Sequence, residues 1–227
     1  MADIQRSRYG CAIFDMDGTI LNTVADCTKS VNLTMLEFGY PLHTEAEVAS
    51  YLNNGAYRLI ERALPQDKRQ EENVTKVLER YLEIYAEHVC EKTHPYDGIA
   101  ELMQKLKNAG VKLAVVSNKP DKQTKMLTDK CFPLGTFAYV SGSGEGLPVK
   151  PDRACVEKAL VQMNVSRQET VYVGDSYVDV LTARNSQIPC AGVLWGVGGE
   201  HSFDEHKPDF LIRNTKELEE LFFDDIQ

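Results

Sequence analysis

The sequence predicts a doubly wound α/β fold: a parallel sheet with helices on both faces, and a helical module inserted after the first strand. Two observations carry this. Short, nearly continuous apolar runs alternate with helix-type patterns through most of the 227 residues, as expected when strands are covered on both faces. The alternation then breaks between residues 22 and 92, where helical patterns follow one another with no convincing strand between them.

In order, strands are expected at 9–14, 111–117, 137–141, 170–174 and 191–195, with an edge strand at 209–212. Helical patterns fall between them at 99–109, 121–130, 152–163, 177–185 and 216–222. Gly110 stands where a helix C-terminal glycine belongs, just before Val111 opens a strand. Inside the insert, 24–38, 56–64 and 73–90 read as helices, punctuated by Tyr40-Pro41 and Thr93-His94-Pro95. Pro95-Tyr96-Asp97-Gly98 is the expected turn back into the sheet. The predicted division is a core of residues 1–21 and 93–227 and a helical cap of residues 22–92.

Composition excludes several classes. With 43% hydrophobic and 26% charged residues the chain has no run long enough to cross a membrane. Its first eight residues lack the apolar stretch of a secretion signal. Six cysteines are scattered without paired spacing, which predicts reduced thiols in a cytoplasmic protein. A net charge of −9 argues against a nucleic-acid partner, and no His/Cys cluster suggests zinc. The expected state is a monomer or homodimer.

The C-terminal ends of parallel strands share one edge, where ligands bind. After the first strand comes Asp15-Met16-Asp17-Gly18-Thr19, and after the second Ser117-Asn118-Lys119-Pro120. Lys150-Pro151-Asp152 lies downstream of the third, and Gly174-Asp175 with Asp179 follows the fourth. Carboxylates gathered this way repel one another and raise each other's pKa. A hard divalent cation resolves the repulsion, and Mg²⁺ keeps waters and substrate phosphate among its ligands. Beside it Asp15 or Asp17 can stay ionised as a nucleophile. Lys150 would neutralise phosphoryl charge, while Ser117 and amides near Asn118 and Gly18 would hold phosphoryl oxygens.

These four motifs, in this order across the whole core, resemble those of the haloacid dehalogenase superfamily of hydrolases. The narrower resemblance is to its bacterial phosphoglycolate phosphatases. It rests on Leu52-Asn53-Asn54-Gly55-Ala56 with Glu61-Arg62-Ala63-Leu64, on Asn118-Lys119-Pro120, on Trp195-Gly196-Val197-Gly198 and on Pro208-Asp209-Phe210-Leu211-Ile212. One departure is Asn53, where that family usually has glycine. The resemblance implies a Rossmann-like core and a Mg²⁺-dependent phosphomonoesterase acting on a small phosphorylated metabolite. In it Asp15 attacks phosphorus and becomes a phosphoaspartate. Asp17 protonates the leaving group and later activates water, with its backbone carbonyl toward the metal. Asp15, Asp17 and Asp175 form the metal site, with Asp179 acting from behind the ligands. Gly18, Thr19, Ser117, Asn118 and Lys150 bind the phosphoryl group.

An anionic leaving group needs donors from the cap. Asn54-Gly55-Ala56 reads as a helix start whose free N–H groups favour an anion. Arg62, two turns along, or Arg58, one turn closer, would supply a cation, unless they pair with acids such as Glu61. Alternatives with the same core are a pyrophosphatase, a sugar-phosphate phosphatase and a phosphomutase, the last disfavoured by the Thr19 hydroxyl. A phospho-acceptor signalling module shares the Asp, Ser/Thr and Lys set. It carries its acceptor after the third strand, however, and lacks a large insert.

Overall fold

The computed structural model describes residues 7–144 and 146–223. The first six residues, which belong to the segment read above as lacking a secretion signal, lie outside the described residues. The chain opens with β1 (Cys11–Phe14) and β2 (Leu21–Asn22). Helices α1 (Val24–Phe38), α2 (Glu45–Tyr51), α3 (Ala56–Ala63) and α4 (Glu71–His88) follow, then β3 (His94–Pro95). Strands and helices then alternate: α5 (Ile99–Asn108), β4 (Lys112–Pro120), α6 (Asp121–Cys131), β5 (Tyr139–Ser143) and α7 (Ala154–Met163). The chain ends with β6 (Thr170–Gly174), α8 (Tyr177–Asn185), β7 (Cys190–Val193), β8 (Phe210–Ile212) and α9 (Thr215–Phe223).

Six strands form one sheet in the order β5-β4-β1-β6-β7-β8, and every neighbouring pair is parallel. Although β1 is apolar throughout, its side chains divide between two cores. Ala12 and Phe14 join Leu113, Val115, Val171 and Val173 on one face, covered by α5, α6, α9 and the insert. Cys11 and Ile13 join Ala114, Val116 and Tyr172 on the other, covered by α7 and α8. The strand period of two explains this division. The first cluster runs without a break from the sheet into α1–α4, through residues such as Val31, Met35, Ile60 and Tyr85.

α5 ends as expected at Gly110. That residue has φ +83°, and the N–H groups of Gly110 and Val111 close onto the carbonyls of Lys107 and Leu106. Three features differ from the sequence expectation. α2 was not expected, yet Thr44 caps it with Glu47 in a reciprocal capping box. β4 runs on to Pro120, so Ser117-Asn118-Lys119 lies within a strand whose register shifts between Val116 and Pro120. Finally, Leu21-Asn22 pairs antiparallel with His94-Pro95, so the two segments joining the insert to the sheet are bonded to each other. The return segment is tied further by buried Asp26, whose carboxylate accepts from the N–H groups of Lys92 and Thr93 and from the Thr93 hydroxyl. Among the described residues no helix is long and apolar enough to cross a membrane.

Candidate active site

Asp15 continues β1, its N–H still bonded to the Val173 carbonyl at 2.9 Å. Asp175 follows β6, and Asp179 lies in the first turn of α8. Among the described residues these three buried acids bring carboxylate oxygens within 4.8 Å of one another. Glycines make the space. A Cβ on Gly18 or Gly196 would overlap the Asp175 side chain, and one on Gly174 would overlap that of Asp179. Gly18 also has φ +82°, a region that disfavours any side chain.

Each acid is held from several sides. Asp179 Oδ2 accepts from the Ser176 N–H at 3.1 Å and hydroxyl at 2.7 Å, which caps α8, and Oδ1 accepts from Lys150 Nζ at 2.7 Å. Lys150 Nζ also donates to the Tyr172 hydroxyl at 3.1 Å, which in turn donates to the Val116 carbonyl at 3.1 Å. Asp175 accepts from the Val197 N–H at 3.0 Å and the Thr19 hydroxyl at 3.4 Å. Lys150 Nζ also forms an ion pair with Asp15 Oδ1 at 2.9 Å, so one ammonium is shared between two acids.

Burial pushes Asp15 up to about 6; Lys150 opposes the rise, and Asp179 and then Asp17 add to it. Asp175 is held well above the usual carboxylate range by burial and by repulsion from Asp179 and Asp15. Burial also disfavours charge on Lys150, but attraction to Asp15 and Asp179 outweighs it and raises its pKa. With all three carboxylates ionised, the one ammonium leaves two negative charges uncompensated. An all-oxygen donor set and that charge suit a hard divalent cation.

Asp17, two residues on, faces elsewhere. Its carboxylate accepts from the Thr23 hydroxyl at 2.6 Å and from Lys119 Nζ at 3.0 and 3.2 Å. The Lys119 ammonium, almost fully buried, lies 4.6 Å from the centre of the Tyr85 ring. Burial works against its charge, but Asp17 more than compensates, and its pKa is raised. Both side chains line a cavity that also meets Asp15, Ser117, Gly55 and Tyr81. The insert closes this cavity through residues 53–55. Asn118 Nδ2 donates to the Asn53 carbonyl at 3.2 Å, and Asn54 Nδ2 donates to the Tyr177 hydroxyl at 3.3 Å. Asn53 has φ +75°, a conformation asparagine tolerates better than most residues.

The structure thus gathers Asp15, Asp175, Asp179, Lys150, Gly18 and Thr19 into one buried cluster, with Asp17, Ser117, Asn118 and Gly55 on the adjoining cavity wall. Asn118 holds Lys150 in place through a side-chain bridge to its N–H at 2.7 Å and carbonyl at 3.1 Å. Ser117 Oγ accepts from the Lys119 N–H at 3.3 Å. Asn54 and Arg62 do not line the cavity. Arg62 donates to the Tyr51 carbonyl at 3.1 Å and to Asn54 Oδ1 at 2.9 Å, while Arg58 pairs with Glu61 on the surface. Sequence reasoning assigned no role to Lys119 or Tyr172. For Lys119 the available signal was a charge at the end of an apolar strand; for Tyr172, a polar tip within one.

Residues 12–193 match the model of the haloacid dehalogenase-like hydrolase family. Phosphoglycolate phosphatase 1 of Pseudomonas aeruginosa is 31% identical over 212 residues, spanning 91% of this chain and 77% of that protein. The phosphoglycolate phosphatase of Mannheimia succiniciproducens is 30% identical over 219 residues, spanning 93% and 97%. A crystal structure from Lactobacillus delbrueckii subsp. bulgaricus, of a protein assigned as a phosphoglycolate phosphatase, superposes with a TM-score of 0.89 at 32% identity, covering 96% and 99%. With four motif segments brought to one sheet edge, the chain belongs to the haloacid dehalogenase-like hydrolase family, among its phosphatases.

Proposed function

We propose that this phosphatase is a Mg²⁺-dependent phosphoglycolate phosphatase working through a phosphoaspartate on Asp15. The observation that carries this reading is the buried cluster of Asp15, Asp175 and Asp179, whose combined charge exceeds what Lys150 offsets and would be balanced by a divalent cation. Asp15, Asp175 and the backbone at Asp17 would hold Mg²⁺, with Asp179 fixed behind them by Lys150 and Ser176. When bound, the ion offsets charge on the carboxylates and on the phosphoryl oxygens.

Asp15 attacks phosphorus, the bond from phosphorus to the glycolate oxygen breaks, and Asp17 donates the proton that the leaving oxygen takes up. Asp17 then accepts a proton from the water that cleaves the phosphoaspartate. Lys150 lowers the negative charge against which the nucleophile must act, and Ser117 with the Gly18 and Asn118 amides binds the phosphoryl oxygens. Residues 22–92 act as a cap that hinges on the Leu21-Asn22 and His94-Pro95 pair and excludes water when closed. The leaving group's carboxylate is read by Lys119 and the N-terminus of α3 at Gly55 and Ala56. Arg62 positions Asn54 and through it the closing loop.

Phosphate release from a panel of esters with Mg²⁺ tests the substrate. Phosphoglycolate should give the highest kcat/KM; faster turnover of pyrophosphate or a sugar phosphate would overturn the assignment. Asp17→Asn should slow phosphoglycolate by about 10²–10⁴-fold and p-nitrophenyl phosphate much less, because nitrophenolate leaves without a proton.

A further inference from the structure

Four of the six cysteines, Cys11, Cys27, Cys155 and Cys190, are fully buried. The other two meet each other. Cys90 follows α4 at the end of the insert and Cys131 ends α6 beside the sheet, and their Sγ atoms lie 3.2 Å apart. Both residues are half-buried. A covalent S–S bond is about 2.05 Å long, so an approach of little more than an ångström would join them. The surrounding backbone is already fixed in register. Lys130 Nζ donates to the Val89 carbonyl at 3.3 Å, joining the end of α6 to the end of α4. On the other side, Asp26 anchors Lys92 and Thr93. Cys90 itself has φ +66°, a backbone conformation rare for a residue with a side chain.

We propose that Cys90 and Cys131 form a redox-sensitive dithiol whose disulfide staples the insert to α6 and holds the cavity closed; the effect on turnover rests on the cap reading above. The oxidant is a low-molecular-weight disulfide of the glutathione type. A protein thiolate attacks it and expels one reduced thiol; the second protein cysteine then attacks the mixed disulfide and expels the other. Two protein thiols are oxidised, one small disulfide is reduced to two thiols, and the two protein protons pass to the departing thiolates. Burial and the neighbouring Cys90 push the Cys131 thiol up to about 12; either cysteine makes the first attack, and the other resolves the mixed disulfide. The location matters because Cys90 lies only four residues before His94, where the insert rejoins the sheet by pairing with Asn22. A bond to α6 there ties the end of α4 to the sheet-side element next to the junction on which, in the cap reading, the insert moves.

The full-length reduced chain is incubated with oxidised glutathione and followed by intact mass, peptide mapping, amide exchange and turnover of p-nitrophenyl phosphate with Mg²⁺. Expected are loss of two hydrogens, a mapped Cys90–Cys131 peptide, slower exchange at residues 52–56, and about a tenfold fall in kcat/KM that a dithiol reverses. Cys131→Ser should keep the basal rate and lose both the cross-link and the sensitivity. A chain that gains no cross-link, an oxidised chain with unchanged exchange, or inhibition that persists in Cys131→Ser would overturn the proposal. If the reduced enzyme were inactive, the phosphatase reading would fail, while mass and exchange would still decide the cross-link.

Discussion

The sheet edge and the insert face that closes over it are built from opposite materials. At the sheet edge, charges are fully buried and over-determined: Asp179 has three donors, Lys150 has two acid neighbours, and three glycines leave room for the carboxylates. The insert face is largely apolar, with Leu52, Leu59, Tyr81, Leu82 and Tyr85 toward the cavity. Its arginines are spent on loop carbonyls and surface acids. In the proposed function, chemistry sits at the sheet edge and selection at the insert face. A half made of buried, mutually supporting charges tolerates little change, because each removed partner leaves another buried charge exposed to its full desolvation cost. A half made of apolar contacts and a hydrogen-bonded loop can vary what it admits without disturbing the reacting atoms.

The largest effect should come from the sheet edge. Asp15→Asn should lower phosphate release by about four orders of magnitude without unfolding the protein, since it removes one of three repelling carboxylates and Lys150 keeps its ion pair with Asp179. Retained turnover with an intact melting transition would refute the nucleophile and with it the division of labour. Next is Lys119, a cation of the cavity wall on β4. Lys119→Met should lower kcat/KM for phosphoglycolate about 10²-fold more than for p-nitrophenyl phosphate. Equal losses on the two esters would assign Lys119 to Asp17 alone.

A third test reads the acids by stability. The folded chain without metal holds the Asp15 proton up to about pH 6, whereas its usual value is 3.8. The unfolded chain therefore loses its proton first as pH rises. Without metal, stability should fall between pH about 4 and 6, and Mg²⁺ at pH 7 should raise Tm by about 5 °C. Calorimetry with EDTA and with Mg²⁺ checks both, and Asp15→Asn should flatten the slope. The smallest effect is expected at Arg62. Arg62→Ala should lower kcat/KM less than about tenfold, and equally for charged and neutral esters, because its guanidinium holds the 51–54 loop rather than facing the cavity. A selective loss on phosphoglycolate would return Arg62 to the role of substrate reader.

Much of this was legible in the chain because its signals are local. Apolar runs set off by turns marked all six sheet strands, and Asp15, Asp17, Asp175 and Asp179 were visible as acids at strand ends. Gly110 announced a helix end through its place before Val111. Other features lacked a local signature. The pairing of Leu21-Asn22 with His94-Pro95 joins segments over seventy residues apart and spans two residues on each side, too few to show alternation. α2 had its capping box in plain view, Thr44 to Glu47, yet seven residues carry little periodicity. Lys119 was visible as a charge, but the fact that its ammonium turns inward to Asp17 depends on the register shift in β4.

Local patterns carry the six sheet strands, most of the helices and the set of acids, hydroxyl and lysine available at one edge, because period and turn chemistry act between near neighbours. Which charge faces which depends on the packed fold. It turned Asp15 toward Lys150 and Asp17 toward Lys119, it gave Arg62 to the loop instead of the cavity, and it brought Cys90 against Cys131. Those outcomes depend on packing between segments far apart in the chain, where a shift of one strand register or one helical turn exchanges partners, and no local pattern encodes that choice.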